Sequence, residues 1–286
     1  MAIVLGPNRY GKAETRLVRV VRDGESHRLA DLNVSVALAG DLAATHLTGD
    51  NSGVLPTDTM KNTVYAFAKK HGVGEPEEFG LRLARHFVTS RAQVHSARVS
   101  IESHGWDRLG PHSFQRQGSH TRTATVTVTA EAEQVVSGIT GLVLLNSTAS
   151  EFHGFPRDDY TTLTGTTDRI LATAVDARWR HALPAGDWAT SYAGAVEALT
   201  GAFVDTYSYS LQQTLYAMGS RVLSARPEVA EIRLVLPNKH HYLVDLSPFG
   251  LANDNEVFIA GDRPYGLIEG TVTRDDAPAA SAEWYL

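Results

Sequence analysis

The chain has 286 residues, of which 43% are apolar, and a formal net charge of -6 at pH 7. This length suggests roughly two domains, and the apolar fraction is sufficient for a substantial core. The negative charge, with no run of Lys or Arg along one face, argues against nonspecific nucleic-acid binding. With no cysteine, the chain can form no disulfide, thiolate nucleophile or thiolate metal site, which fits an intracellular protein.

No segment resembles a signal peptide or a membrane span. The longest apolar segment, residues 135–145, contains Ser, Thr and Gly and is far shorter than the ~18 residues that a spanning helix needs. The C-terminal sequence Ala-Glu-Trp-Tyr-Leu lacks the Ser-Lys-Leu peroxisomal address. We therefore expect a cytoplasmic protein with no membrane partner.

The first half of the chain predicts strands, then helices, then strands again. Apolar and polar residues alternate in the strands, which is typical of a sheet with one covered face. The first helix is expected to be capped by Thr57 or Asp58, and the second has an apolar stripe. In chain order these elements are a hairpin at 15–39, a helix up to Gly72, a helix from about Pro76, and strands near 97–101 and 124–130.

The second half is expected to repeat this order. Its predicted elements are a strand at 135–145, a helix at 163–180, a helical region at 188–224 interrupted near 207–209, and strands at 232–236, 242–246 and 257–260. The sequence therefore predicts an α+β protein made of a duplicated antiparallel unit with helices on one face. The two units are expected at residues 1–133 and 134–286.

One stretch, Leu142 to Arg169, combines an aromatic ring with a planar cation. It is expected to begin as a buried strand, pass through a loop of small residues, Ser and Thr that leads to Phe152 and Phe155, and continue as a helix that carries Arg169 in its first turns. A flat heterocyclic anion needs an aromatic face for stacking and a guanidinium fork for binding. This stretch predicts a site for such a ligand.

The spacing of this stretch resembles the signature of the urate oxidase family, the cofactor-free uricases. The matching residues are Leu142-x-Leu144-Leu145-Asn146-Ser147-Thr148-x-Ser150-x-Phe152-x2-Phe155-x4-Tyr160-x2-Leu163-x5-Arg169, and Asn146 stands where the family usually has Lys. The resemblance extends over nearly the full chain. It implies two tandem tunnel-fold (T-fold) units whose sheets join between subunits into a barrel, and a homotetramer with each active site shared between two chains.

The segment Arg9-Tyr10-Gly11-Lys12 resembles the N-terminal motif of the same family, which implies that Lys12 is catalytic. By itself the segment could be a solvated loop. It also fits most of a phosphate-binding loop, but Ala13 stands where that loop needs Ser or Thr, and a strand is expected to follow instead of a helix. Thr57 and Asp58 keep the family pattern of a substrate-contacting helix N-terminus, and the resemblance places Thr57 in a catalytic relay as well.

The pair His240-His241 suggests a metal site, but adjacent residues on a strand point to opposite faces. The twelve histidines include no His-Glu-x-x-His motif, and we expect neither a metal nor any other cofactor. The resemblance instead implies that His240 completes the relay with Lys12 and Thr57, and that Asn238 lies beside the dioxygen site. His241 is expected on the far face of the strand.

The remaining substrate-binding residues are also implied by the resemblance. Phe152, which would otherwise be expected in the core, stacks on the purine. The Leu211 backbone and the Gln212 side chain bind the rim of the purine opposite Arg169, and Leu163 lines the same pocket. Phe155 and Tyr160 are expected to be structural.

The reaction that the resemblance implies is the oxidation of urate by O2 and water to 5-hydroxyisourate and hydrogen peroxide, in purine degradation. Removal of a second proton makes the urate monoanion a better one-electron donor, and a lysine is a suitable base because desolvation lowers lysine pKa values. Two alternatives stay open: another tunnel-fold enzyme acting on purines or pterins, and a catalytically silent tunnel-fold assembly module. The lack of cysteine disfavours the zinc-dependent form of the first, and the presence of all three relay residues disfavours the second.

Overall fold

The computed structural model of the protein describes residues 1–280 and Trp284. The described chain divides into two compact units, which alternate along the sequence. The first contains Met1–Gly138 and Arg180–Tyr192, and the second contains Ile139–Trp179 and the described chain from Ala193 onward. The boundary near residue 133, which was expected from the repeated order of strands and helices, stays a prediction.

The first half of the chain follows the predicted order of strands and helices. Its elements are β1 (Tyr10–Val21), β2 (Arg28–Gly40), α1 (Ala43–Leu47), α2 (Thr57–His71), α3 (Pro76–Thr89), β3 (Val94–Ser103), β4 (Trp106–Arg108), β5 (Phe114–Arg116) and β6 (Thr121–Thr129). The antiparallel sheet has the order β1-β2-β3-β6, with β1 at its edge, and β4 and β5 form a separate small hairpin. Neither α1 nor this hairpin was expected from the sequence.

The strand register places buried side chains opposite one another. Val36 of β2 pairs with Val99 of β3, which pairs with Val126 of β6, and all three are buried. The expected stripe on α3 is confirmed, because Phe79, Leu83 and Phe87 lie in the same core cluster as these strand residues, together with Met60, Val64 and Ala68 of α2. The buried face of the sheet and the apolar faces of α2 and α3 therefore pack together in one core.

A buried polar network stabilises the start of α3. Glu77 is fully buried and accepts hydrogen bonds from Arg122 Nη2 at 2.7 Å and from the Ser137 hydroxyl at 2.6 Å. The same guanidinium donates through Nη1 to Glu75 at 2.6 Å and lies 4.1 Å from the centre of the Tyr192 ring. Burial raises the pKa of Glu77, an effect that the charge of Arg122 opposes. A charge pair that is removed from water in this way is costly to break.

The second half contributes β7 (Glu133–Asn146), β8 (Leu171–His181), α4 (Trp188–Asp205), α5 (Leu211–Ala225), β9 (Val229–Asn238), β10 (His241–Leu243), a 3-10 helix (Ser247–Phe249), β11 (Phe258–Ala260) and β12 (Gly266–Thr273). The sheet order is β7-β8-β9-β12, with β12 at the edge, and β10 pairs with β11. The break between two helices near 207–209 is confirmed. The strand β12 was not expected, and the strand expected at 242–246 is only the short β10.

The helix expected at 163–180 is wrong, because residues 171–181 form the strand β8 and Arg169 lies in the loop before it. The buried residues Leu171, Val175 and Trp179 recur every four positions, a spacing that fits both a helix and one face of a strand. Alanines between them favour a helix, but the position of β8 between β7 and β9 overrides that preference.

Two smaller expectations also need correction. Leu142 of β7 is buried, but Val143 and Leu145 are 57% and 51% exposed, so the end of this strand is covered on one side only. The N-cap of α2 is Pro56 without a side-chain cap, so neither Thr57 nor Asp58 caps the helix. Within the described residues, no helix combines the length and apolar character needed to cross a membrane.

Candidate active site

Lys12 lies on β1 at a point where two backbone features fix the strand. A Cβ atom on Gly11 would lie 1.8 Å from the carbonyl oxygen of Val36, so the close approach of β1 and β2 requires glycine. Directly after Lys12 the register shifts, and Glu14 adopts a φ of 54° in a β-bulge. Because a bulge twists a strand and redirects its side chains, it sets the direction in which Lys12 leaves the sheet.

Thr57 is the first residue of α2, and Asp58 is exposed beside it. The Asp58 carboxylate pairs with the Lys61 amine and accepts a hydrogen bond from Asn62 at 2.9 Å. The hydrogen bond from Lys61 lowers the pKa of Asp58 most, and the charge of Lys12 lowers it further. Lys12 therefore lies within electrostatic reach of the α2 N-terminus, where the first backbone N–H groups have no acceptor inside the helix.

In the second unit, three short segments come together around Phe152 and Arg169. We call them the platform: residues 149–152, 166–169 and Ser208. Phe152 and Thr166 exchange backbone hydrogen bonds at 2.8 and 3.0 Å, and the Arg169 N–H donates to the Ser150 carbonyl oxygen at 2.9 Å. Ser208 forms a parallel bridge with Ser150. The platform is therefore held by backbone bonds between residues far apart in sequence.

The side chains of the platform form an aromatic and cationic surface. The Arg169 guanidinium lies 5.3 Å from the centre of the Phe152 ring, and its Nε donates to the Ser150 hydroxyl at 3.2 Å. Phe155 stacks on Phe152 with ring centres 5.1 Å apart and planes 17° from parallel. Burial lowers the pKa of Arg169, which shows that the guanidinium has lost part of its hydration. A partly desolvated cation beside an aromatic ring favours a planar anion as ligand.

The N-terminus of α5 follows the platform directly. The Ser210 hydroxyl caps the helix by accepting from the Gln213 N–H at 3.2 Å, Leu211 is buried and the Gln212 side chain is exposed. The first N–H groups of a helix carry partial positive charge and bind anions. We call Leu211 and Gln212, the first two residues of this helix, the second binding arm, and their role in binding stays a prediction.

His240 follows β9, and Asn238 is the last residue of that strand, paired with Gly266 of β12. The loop is held by hydrogen bonds of 2.8 Å from the Lys239 N–H to the Ala172 carbonyl and from the Gly261 N–H to the His240 carbonyl. Burial, followed by the charges of Arg169 and His241, lowers the pKa of His240. The imidazole is thus within electrostatic reach of Arg169, and its surroundings favour the neutral ring.

The other motif residues have more peripheral positions. Leu163 is 56% exposed and Tyr160 is 91% exposed, both in the loop before the platform segment 166–169. Asn146, which stands where the family usually has Lys, donates its side-chain amide to the Phe203 carbonyl at the end of α4 at 3.0 Å. Across residues 1–280 and Trp284, no group of three or more His, Asp or Glu side chains could hold a metal ion.

The expected site residues thus form two groups, one in each unit. Lys12, Thr57 and Asp58 belong to the first. The second contains the residues of the platform, the α5 N-terminus and the loop after β9, namely Phe152, Leu163, Arg169, Leu211, Gln212, Asn238 and His240. Ser208 and Thr214, two fully buried residues whose hydroxyls connect the platform with α5, were not expected at the site from the sequence. Only the predicted helix break at 207–209 pointed to that region.

Comparison with known proteins identifies the family. A family model described as Uricase matches residues 8–127 and 135–269. A curated uricase from Arthrobacter globiformis is 51% identical over 99% of this chain and 94% of its own length, and one from Dictyostelium discoideum is 39% identical over 93% and 96%. The crystal structure of uricase from Arthrobacter globiformis has a TM-score of 0.97 at 50% identity and covers 100% of both chains. A uricase from Bacillus fastidious, at 23% identity, shares the fold with a TM-score of 0.81 over 96% of both chains. The chain therefore belongs to the uricase family.

Proposed function

We propose that this chain oxidises urate with O2 and water to 5-hydroxyisourate and hydrogen peroxide, without a metal or organic cofactor. Membership of the uricase family supports urate as the substrate. The observation that carries the proposal is the pairing of Phe152 with the half-buried Arg169, 5.3 Å apart and next to the N-terminus of α5. Urate is flat and anionic, so it matches both the ring and the guanidinium.

Substrate binding uses the residues of the second unit. Phe152 stacks on the purine, Arg169 binds one edge, and the Leu211 N–H with the Gln212 side chain binds the opposite edge. The α5 N-terminus adds a favourable interaction with the negative charge. Leu163 completes the wall of the pocket, and Thr57 and Asp58 also contact the substrate. Orientation of this kind lowers the barrier because the reacting ring is held before the chemistry begins.

Proton removal uses a relay of Lys12, Thr57 and His240. Lys12 takes a proton from the bound urate monoanion, and the Thr57 hydroxyl passes protons between the amine and the imidazole. Burial lowers the pKa of His240 and so favours the neutral ring, the form that can accept a proton. General base catalysis of this kind contributes roughly 10² to 10⁴ in rate.

O2 is the oxidant in the steps that follow proton removal. The urate dianion gives one electron to O2, and the resulting urate radical and superoxide combine to a peroxide on carbon, which takes up the proton held by the relay and becomes a hydroperoxide. The C–O bond breaks with both electrons on oxygen, which takes up a proton and leaves as hydrogen peroxide. Water adds to the same carbon to form 5-hydroxyisourate. Asn238 lies beside the O2 in this arrangement.

We further propose that the working form is a homotetramer. In this assembly the sheets of the units join between subunits, and the first unit of one chain supplies Lys12, Thr57 and Asp58 to the site on its partner. The edge positions of β1 and β12 support this assembly, because each leaves one row of backbone groups available for pairing.

The experiment is oxygen uptake by purified, chelator-treated protein on addition of urate. Consumption of one O2 per urate, release of one hydrogen peroxide and a slow decay of the product absorbance are expected. Binding of urate without oxygen uptake would instead identify a catalytically silent module. Lys12→Met should lose most of the turnover, and a native rate for this variant would refute the relay.

A further inference from the structure

Ser208 and Thr214 form a hydroxyl pair in the interior of the second unit. Both residues are fully buried, and the Thr214 hydroxyl donates to Ser208 Oγ at 2.8 Å while lying 3.1 Å from the Ser210 carbonyl oxygen. A buried hydroxyl without a partner is unfavourable, so each residue holds the other in place. Neither side chain has a place in the proton relay or in the purine contacts described above.

One end of this pair is fixed to the platform. The Ser208 N–H donates to the Ala149 carbonyl at 2.9 Å, and the Glu151 N–H donates to the Ser208 carbonyl at 2.8 Å. Ser208 therefore bonds to the residues on both sides of Ser150, and the Ser150 hydroxyl accepts a hydrogen bond from Arg169 Nε. A shift of Ser208 would therefore also shift Ser150, which orients that guanidinium.

The other end of the pair is fixed to the second binding arm. Thr214 lies in the first turn of α5, and its N–H donates to the Ser210 carbonyl at 3.1 Å. Leu211 and Gln212 lie between Ser210 and Thr214 in that turn. The hydroxyl pair thus joins the start of the helix to the platform through one side-chain hydrogen bond.

We propose that Ser208 and Thr214 are positioning residues that set the distance between Arg169 and the Leu211–Gln212 arm to the width of one purine. This inference rests on the proposed function, because it requires both arms to bind the same ring. A planar ligand held at two opposite edges tolerates little error in the distance between them, because hydrogen bonds at both edges cannot keep good geometry once that distance changes.

The principal test is Thr214→Val, which removes the hydroxyl and nearly keeps the shape. We expect the KM for urate to rise about tenfold and kcat to change by less than about threefold, because the variant loosens ground-state and transition-state binding alike. Thr214→Ser restores the hydroxyl and should recover the native KM. The matched control is Thr200→Val on α4, where the hydroxyl makes a similar bond to the Val196 carbonyl at 2.9 Å. This control should leave KM unchanged.

A double-mutant cycle separates positioning from a general loss of stability. If Thr214 acts by placing Gln212, the effect of Thr214→Val on KM should fall below about twofold in a Gln212→Ala background. Independent, multiplying effects would overturn the proposal, as would a native KM for Thr214→Val or an equal change in the Thr200→Val control. Ser208→Ala, which removes the other hydroxyl, should shift KM in the same direction and serves if Thr214→Val does not fold.

Urate binding measured without oxygen distinguishes this inference from the proposed function. Native protein that binds urate anaerobically but consumes no O2 on aeration refutes the proposed oxidation and leaves the positioning role measurable as a Kd. Native protein that oxidises urate, with equal anaerobic affinities in Thr214→Val and wild type, refutes the positioning role and leaves the oxidation intact.

Discussion

Replacement of Arg169 by Ala tests the binding surface most directly. The guanidinium is partly desolvated, lies over the Phe152 ring and is oriented by the Ser150 hydroxyl. Removing one partner of a buried charge interaction costs about 2 to 5 kcal/mol. Because Arg169 keeps part of its exposure, the lower range of about 2 to 3 kcal/mol applies, which corresponds to roughly 30- to 140-fold weaker binding of urate.

The assay is anaerobic titration of urate, followed by calorimetry or by the change in urate absorbance. Arg169→Lys keeps the charge but loses the planar fork and its Nε bond, so about tenfold weaker binding is expected. The matched control is Arg157→Ala, because Arg157 also lies near an aromatic ring, 6.0 Å from Phe155, and is exposed. It should change the affinity by less than about threefold.

A change of less than threefold in Arg169→Ala would refute the assignment of this guanidinium to the substrate. An equally large loss in Arg157→Ala would instead indicate that general positive charge, and not the specific geometry at Phe152, determines the affinity.

Three further predictions concern the relay and the core. Lys12→Met should lower kcat by roughly 10² to 10⁴ with anaerobic urate affinity nearly unchanged, as measured by oxygen uptake and titration; a native kcat would contradict it. His240 must be neutral to accept a proton, and its pKa is lowered from 6.5. The loss of kcat/KM at acid pH that its protonation causes should therefore lie below pH 6.5 and disappear in His240→Asn. An unchanged acid loss in that variant would assign this titration to another group. Glu77→Ala should reduce the free energy of unfolding, measured by urea titration, by about 3 kcal/mol, since of its two carboxylate partners Arg122 keeps only Glu75. Glu133→Ala, which breaks a more exposed pair with Arg85, should cost no more than about 1 kcal/mol in the same urea titration, and equal losses would refute the role of burial.

The elements that were predicted correctly have patterns that fit one kind of structure only. The strict alternation in β2 fits a strand, and the stripe of Phe79, Leu83 and Phe87 fits a helix. The strand β8 was mistaken for a helix because its large buried residues are four positions apart. The edge strand β12 was missed because its residues are largely exposed and show little alternation.

For the candidate site, residue types and spacings could be predicted from the sequence, but the hydrogen bonds that hold these residues in place could not. Phe152 and Arg169 stand out through the family motif, whereas the connection of Ser150 to Ser208 joins positions 58 residues apart and has no local signature. The same holds for the pair of Ser208 and Thr214, which looks like ordinary polar sequence at a helix start. The close approach at Gly11 likewise depends on the neighbouring strand β2, which only the folded sheet reveals.

In the proposed tetramer, the edge position of β1 makes catalysis depend on protein concentration. Within residues 1–280 and Trp284, the strand that carries Lys12 pairs only with β2, and its other side offers backbone donors and acceptors along the same residues. Uncovered edges of this kind attract other chains, in an ordered assembly or in an aggregate. We therefore expect strong dilution to dissociate the subunits and lower specific activity, and we expect the dissociated subunits to aggregate through this edge when they are concentrated again.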